Sequence, residues 1–101
     1  MGFSTDILMF DPASQTFSVS AEWDGAPCEA DRELWDWLKE NGEWVSDKKH
    51  CIPPDPYIGG ARPRSFEAAF AWGKTQPASG RIISALRIMQ GNVNLYYCMF
   101  F

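Results

Sequence analysis

The feature that most constrains this chain is a change of hydrophobic period within its first half. Between residues 16 and 24, apolar and polar residues alternate, which is the period of a half-buried β-strand. Between residues 29 and 41, apolar residues recur at the spacing of an amphipathic helix, and Asn41-Gly42 predict its end because glycine tolerates a left-handed cap. The two apolar sets are Phe17, Val19, Ala21 and Trp23 for the strand, and Ala30, Leu34, Trp37 and Leu38 for the helix.

Shorter segments extend this pattern to a whole fold. An apolar strand at residues 7–10 precedes the alternating strand, and the short polar connection between them predicts a hairpin. Trp44-Val45 indicate another short strand, Ser65 is placed to cap a second helix, and residues 93–101 are β-favouring. We therefore predict an α+β fold, in which an antiparallel sheet of three or four strands packs with one or two helices.

Residues 81–89 fit two structures. As a helix, they would place Ile82, Ile83, Leu86 and Met89 on one side. As a strand, they would turn Ile82, Leu86 and Ile88 inward and form a hairpin with residues 93–101 through Gln90-Gly91-Asn92. We favour the hairpin, and the helix stays open as the alternative.

The chain has the length and composition of one compact domain, which we assign to residues 1–101. Its 46% hydrophobic and 22% charged residues are typical of a globular protein and exclude wholesale disorder. Residues 53–64 contain four prolines and two glycines, which predicts a long irregular loop within that domain. Such loops are uncommon in small domains, so this one is interpreted either as a binding loop or as a strap over the core.

Charge is divided unevenly along the sequence. Residues 1–47 hold eleven acidic and two basic residues, a net charge of −9, whereas residues 48–101 hold seven basic and two acidic residues, a net charge of +5. Either the two halves neutralise each other within one domain, or the asymmetry steers a charged partner to one face. The overall charge of −4 argues against direct binding of nucleic acid.

The first predicted helix supplies candidate residues for binding a partner. Acidic side chains recur on its outward face, where they form either an ordinary solvated face or an acidic ridge that docks on a basic protein. Trp35 lies beside the ridge, as an interface residue or an edge-of-core residue. The ridge consists of Glu29, Glu33, Asp36, Glu40 and Glu43.

The loop at residues 53–64 supplies further candidates, Tyr57 near its centre and Arg62 and Arg64 near its end. Glycine amides, two guanidinium groups and a following helix N-terminus favour anions, although the segment matches neither established glycine-rich phosphate motif. We predict that these three residues contact the partner. Solvated arginines and a small-anion site are the alternatives.

Catalytic and metal-binding patterns are weak. His50 and Cys51 are the only reactive-looking pair, but neighbours on an extended chain point in opposite directions and so rarely form a nucleophile–base pair. Cys28, Cys51 and Cys98 lack the C-x-x-C pair typical of structural zinc and are expected to be reduced. We therefore predict no enzyme, no catalytic or metal-ligating residue and no cofactor.

The sequence also favours a cytoplasmic protein that is not in a membrane. No apolar run approaches the roughly 18 residues that span a bilayer. The first residues lack the basic start and apolar stretch of a secretory signal. Reduced cysteines fit the same compartment.

These observations favour a non-enzymatic protein that binds and blocks a larger, basic partner, which could itself handle nucleic acid. An acidic chain of 101 residues with 15% aromatics resembles many immunity proteins, antitoxins and phage-encoded inhibitors, in size and charge alone. One alternative is an anion-binding or enzymatic domain that uses Arg62, Arg64, His50 and Cys51. The other is a self-assembling subunit, such as a homodimer, that pairs its C-terminal strand (96–101) at a sheet edge.

Overall fold

A computed structural model describes residues 4–19, 29–47 and 59–100. The α+β prediction is confirmed, with five strands rather than three or four and three helices rather than one or two. The strands form one antiparallel sheet in the order β2-β1-β5-β4-β3. In chain order the elements are β1 (Ser4–Asp11), β2 (Thr16–Val19), α1 (Glu29–Asn41), β3 (Gly42–Ser46), β4 (Gly59–Pro63), α2 (Phe66–Gly73), α3 (Ser79–Gln90) and β5 (Leu95–Phe100).

The predicted N-terminal hairpin is confirmed by the antiparallel pairing of β1 with β2. The Asp11 carboxylate holds the turn, accepting hydrogen bonds from the Ala13 N–H at 2.9 Å and the Ser14 hydroxyl at 3.0 Å. These bonds, the Ala13 bond first, lower the pKa of Asp11. Gln15 then turns the chain with a φ of 57°, in the left-handed region. Residues 20–24 of the predicted second strand lie outside the described residues.

The helix α1 ends where the sequence predicts, but for a different reason. It stops at Asn41, and β3 begins at once with Gly42. No described glycine has a positive φ, so the predicted left-handed cap is wrong. Position 42 requires glycine because there is no room for a side chain. A Cβ there would lie 2.6 Å from the carbonyl oxygen of Leu38 and 2.8 Å from that of Arg62. Glycine therefore lets β4 approach the end of α1.

The predicted loop is wrong at its C-terminal end, where Gly59–Pro63 form β4. This strand pairs with β3, which confirms the strand predicted at Trp44-Val45, and with β5 on its other side. The absence of a side chain at Gly60 is required, because a Cβ there would lie 2.9 Å from atoms of Phe17, Tyr96 and Cys98. Residues 53–58 lie outside the described part of the chain.

Residues 79–90 form the helix α3, so the hairpin that the sequence favoured at 81–89 is wrong. The buried residues Ile82, Ala85, Leu86 and Met89 follow helical spacing. Ala85 explains the error, since a small apolar residue adds little to either pattern although it is fully buried here. The Gly91 N–H donates to the carbonyl oxygens of Arg87 and Ile88 at 3.2 Å, ending the helix where a hairpin turn was predicted.

The second predicted helix is confirmed as α2. The Ser65 hydroxyl accepts a hydrogen bond from the Ala68 N–H at 3.2 Å, as expected of a cap. Ala69 is buried, and Phe66 and Phe70 are partly buried against the core.

The C-terminal strand β5 is inside the sheet, not at its edge. It pairs with β1 from Ser4↔Phe100 to Met9↔Leu95, and with β4 on the other side. Self-assembly through this strand requires a free edge. The position of β5 between two neighbours contradicts that route.

The helices pack on one face of the sheet and enclose the main core. Burial of its apolar side chains is the dominant favourable contribution to folding. The core consists of Ile7, Leu34, Leu38, Ala61, Ala69, Ile82, Ala85, Leu86, Met89, Leu95 and Tyr97.

The opposite face of the sheet curls around an aromatic cluster. Ring centroids of Phe10, Phe17 and Tyr96 lie 5.0 to 6.3 Å apart. Asp47, which follows β3 and is 1% exposed, accepts a hydrogen bond from the Phe17 N–H of β2 at 3.0 Å. Because β2 and β3 are the two ends of the strand order, this bond shows that the sheet curls until its edges approach each other.

Candidate functional site

The outward side of α1 carries part of the predicted acidic ridge. Asp36 and Glu40, one turn apart, are exposed, and Glu33 is half-buried. The Lys39 Nζ lies 3.9 Å from an Asp36 carboxylate oxygen and offsets part of the charge. Glu29 begins the helix, and its side chain lies outside the described residues. The exposed acidic part of α1 is therefore centred on Asp36 and Glu40.

Glu43 does not belong to this ridge, which corrects the prediction. The helix ends at Asn41, and Glu43 lies on β3 in register with Arg62 of β4. The helical spacing that linked Glu43 to Asp36 and Glu40 has no meaning beyond the end of the helix. Its charge acts on Arg62, whose cationic form it favours.

The exposed aromatic residue of this region is Trp44. Trp35 is only 7% exposed, so the sequence-based choice of Trp35 as a contact is corrected, whereas Trp44 is 43% exposed. The two rings meet edge to face, with centroids 4.9 Å apart and an interplanar angle of 72°. Strand alternation puts Trp44 and Val45 on opposite sides of the sheet but does not decide which side is covered, so the sequence alone does not identify Trp44 as exposed. We call Asp36 and Glu40 on the outward side of α1, together with Trp44 on β3, the α1–β3 surface.

Another acidic residue of α1 is neutralised inside the protein. Asp31 is 2% exposed and accepts two hydrogen bonds from Arg81 of α3, from Nε at 2.7 Å and from Nη2 at 3.0 Å. Tyr97 is fully buried; burial first, and then the Asp31 charge, raise the pKa of its phenol. The ion pair joins the acidic and basic halves of the sequence. It supports the interpretation that the halves partly neutralise each other.

Arg62 was predicted to contact a partner, but it is buried, with 9% exposure. Its Nη1 donates to the carbonyl oxygens of Asn92 at 2.9 Å and Leu95 at 2.8 Å. The guanidinium carbon lies 5.1 Å from the ring centroid of Phe66 and 5.7 Å from that of Tyr96. Burial lowers the pKa of Arg62, and the charges of Tyr96 and Glu43 oppose that shift. The side chain holds the connection between α3 and β5 and is not open to a partner.

Of the remaining candidates in and near the loop, only Arg64 lies among the described residues. The Arg64 side chain is exposed. The backbone N–H of Arg64 donates a hydrogen bond to the Asn41 carbonyl oxygen at 3.3 Å, beside the end of α1. Tyr57 lies outside the described residues, as do His50 and Cys51 of the alternative anion site. Arg62 and Arg64 therefore do not form a shared anion site, since one is enclosed and the other faces solvent.

Among the described residues, reactive and metal-binding groups give no second site. Cys98 is fully buried, and burial raises the pKa of its thiol, which keeps it protonated and unreactive. Across the described ranges 4–19, 29–47 and 59–100, no three His, Cys, Asp or Glu side chains are grouped so as to hold a metal ion. Cys28 lies outside those ranges.

Comparisons with protein-family models, with curated proteins and with solved structures give no match to this chain. In the part of the chain that the structure describes, no helix combines the length and apolar character needed to cross a bilayer. Chemically, the α1–β3 surface offers an indole supported by Trp35 and, on the outward side of α1, two exposed carboxylates. Exposed aromatic side chains are typical anchors in contacts between proteins.

Proposed function

We propose that this chain is a non-enzymatic binding domain that attaches to a larger protein through the α1–β3 surface and blocks it. The observation that carries the proposal is the 43% exposure of Trp44. Asp36 and Glu40 are also exposed, on the outward side of α1. A large aromatic side chain left in water costs solvation free energy, which a complementary pocket on a partner would recover.

Trp44 is suited to be the anchor because it is already held in place. Its ring rests against Trp35, which is itself buried, and β3 pairs with β4 along its length. Side chains fixed before binding lose little conformational entropy in the complex. The indole therefore supplies most of the affinity.

The carboxylates of Asp36 and Glu40 select a basic partner. Exposed charges mainly raise the rate of association and exclude wrong partners, and salt screens them. Lys39 reduces their combined field, which is consistent with a contact that depends more on Trp44 than on charge. A cytoplasmic blocker of the immunity, antitoxin or phage-inhibitor class fits this arrangement.

The test is affinity capture from lysate of the source cells, with the full-length chain as bait and mass spectrometry as the readout. Wild type and Val93→Ala are expected to capture one stoichiometric partner, and Trp44→Ala is expected to lose it. Val93 is the matched control because it is an exposed apolar residue, 74% exposed, in the turn between α3 and β5. With the purified partner, Trp44→Ala should weaken binding by about 2 kcal/mol or more.

A second arm reverses the carboxylates. Asp36→Lys combined with Glu40→Lys should slow association and remove most of its salt dependence, with the fold unchanged by circular dichroism. If Trp44→Ala and the double reversal both bind the partner as wild type does, the α1–β3 surface is not the contact.

A further inference from the structure

A groove lies on the outward side of α3, where the end of α2 packs beside it. A Cβ on Gly73, the last residue of α2, would lie 3.0 Å from the Ile82 side chain and 3.2 Å from that of Ile83, so the two helices are in close contact. A Cβ at Gly80, one turn before Ile83, would meet nothing within 4 Å, so the space over the first turn of α3 is open. The groove has a volume of about 450 Å³, and we call it the α3 groove.

The α3 groove combines an apolar floor with charged side chains around it. Ile83 and Ile88 line it and are half-buried, whereas Lys74 and Arg87 line it and are exposed. Ser84, which is small and exposed, leaves the middle of the groove accessible. The volume is within the range of sites that hold small molecules, about 300–1,000 Å³.

The positive charge of the groove has no counter-charge in the described part of the chain. Helix α3 contains two arginines and no acidic residue. Arg81 is paired with the buried Asp31, but among the described residues no ion pair involves Lys74 or Arg87. The lining of the groove includes no acidic side chain. An anionic group in the groove therefore meets two cations and no carboxylate.

We infer that the α3 groove binds a small amphipathic anion, in which a carboxylate or phosphate group is joined to one apolar chain. The anionic group accepts hydrogen bonds from Arg87 and Lys74, and the chain covers Ile83 and Ile88. The unpaired cations select the charge of the ligand, and the half-buried isoleucines select its apolar part. From Gly80 to Ile88 the helix rises about 12 Å, a length that suits a medium-length acyl chain such as that of octanoate.

This site is separate from the surface on which the proposed function rests. None of the residues that line the α3 groove belongs to the α1–β3 surface. The groove gives the chain a second binding activity, for a small molecule instead of a protein. Each of the two activities can therefore fail without the other.

The experiment is an amide NMR titration of the isotope-labelled chain with octanoate at low salt, below the concentration at which octanoate forms micelles. Octanoate should cause saturable shifts in the amides of residues 74 and 79–88, with one site per chain. Octanol and acetate supply the chain and the charged group separately, and each should bind about tenfold more weakly or worse. Octyl phosphate should shift the same residues, and its affinity relative to octanoate identifies the preferred anionic group.

Variants of exposed residues test the role of charge without disturbing the core. Lys74→Gln combined with Arg87→Gln should weaken octanoate binding by about tenfold or more and leave octanol binding unchanged. Arg64→Gln is the matched control, because it removes an exposed cation outside the groove, and it should bind octanoate like wild type. High salt should weaken the binding of octanoate but not that of octanol.

The inference is overturned by any of these results: no saturable binding of octanoate, shifts centred away from the α3 groove, acetate or octanol binding as tightly as octanoate, or wild-type affinity in the Lys74→Gln/Arg87→Gln variant. The proposed function is tested separately, because this variant keeps Trp44, Asp36 and Glu40. It should capture the basic partner as wild type does, even if octanoate never binds.

Discussion

Arg62 and Arg64 are two residues apart in the sequence and have opposite environments. Arg62 is enclosed between aromatic rings and donates to two carbonyl oxygens, whereas Arg64 is exposed. Arg62→Ala should destabilise the fold by about 2–4 kcal/mol, because it leaves those carbonyls unsatisfied and removes packing. Arg64→Ala should change stability by less than about 0.5 kcal/mol. Urea unfolding of both variants checks this, and equal effects would contradict the role given to Arg62.

Gly60 and Gly80 differ in how much room a side chain would have. A Cβ at Gly60 would meet three side chains at 2.9 Å, while a Cβ at Gly80 would meet nothing within 4 Å. Gly60→Ala should therefore destabilise by about 1–3 kcal/mol through overpacking. Gly80→Ala lies in the helix α3 and should stabilise by about 0.5–1 kcal/mol, since alanine loses less backbone entropy. Thermal unfolding should move in opposite directions for the two, and a shared direction would count against the packing described here.

Cys98 and Tyr97 are expected to lower the free energy of unfolding at alkaline pH. Burial raises the pKa of both groups above their ordinary values of 9.0 and 10.0. Below those values both states are protonated and stability is unaffected; above them only the unfolded state ionises, so the free energy of unfolding falls as pH rises. Each group contributes a slope of up to about 1.4 kcal/mol per pH unit. Cys98→Ala should flatten the decline that begins near pH 9, and an unchanged slope would contradict the burial of the thiol.

The helices α1 and α3 are joined by the buried pair of Asp31 and Arg81. Removing one partner leaves an uncompensated charge, so Asp31→Leu or Arg81→Leu should each destabilise by about 3–5 kcal/mol. The double variant should cost much less than the two effects added, which a double-mutant cycle by urea unfolding measures. Asp36→Ala is the control, because its contact with Lys39 is on the surface and is expected to be worth under about 0.5 kcal/mol. Additive single effects would rule out direct coupling.

Sequence patterns correctly predicted the helices whose structure is determined by residues close together in the chain. The stripe of Leu34, Trp37 and Leu38 predicted α1, and Ser65 predicted the start of α2. The strand β4 was missed because glycine and proline argue against strands, whereas here pairing with two neighbours overrides that preference. The helix α3 was misread because its isoleucines fit both periods and only contact with the core decides between them.

The candidate surface was predictable in part. The exposed carboxylates of Asp36 and Glu40 follow from helical spacing alone. Helical spacing does not show that Trp35 is buried while Trp44 is exposed, because this depends on how α1 packs against β3. The enclosure of Arg62 likewise depends on the connection between α3 and β5, which is distant in sequence.

Across the molecule, folding reduces the charge asymmetry of the sequence without removing it. Asp31 is neutralised by Arg81, and Glu43 lies opposite Arg62, so two acids of the first half are matched by bases of the second. Among the described residues, exposed carboxylates remain at Asp36 and Glu40 on α1, and exposed cations remain at Lys74 and Arg87.

The most direct test of partner binding through the α1–β3 surface is hydrogen–deuterium exchange of the chain with and without its captured partner. We predict slowed exchange in peptides that cover residues 36–46, which contain the end of α1 and β3, with exchange in α3 unchanged. The Trp44→Ala variant should show no such protection at the same partner concentration. Protection confined to α3, or to segments away from residues 36–46, would contradict the claim that the α1–β3 surface binds the partner.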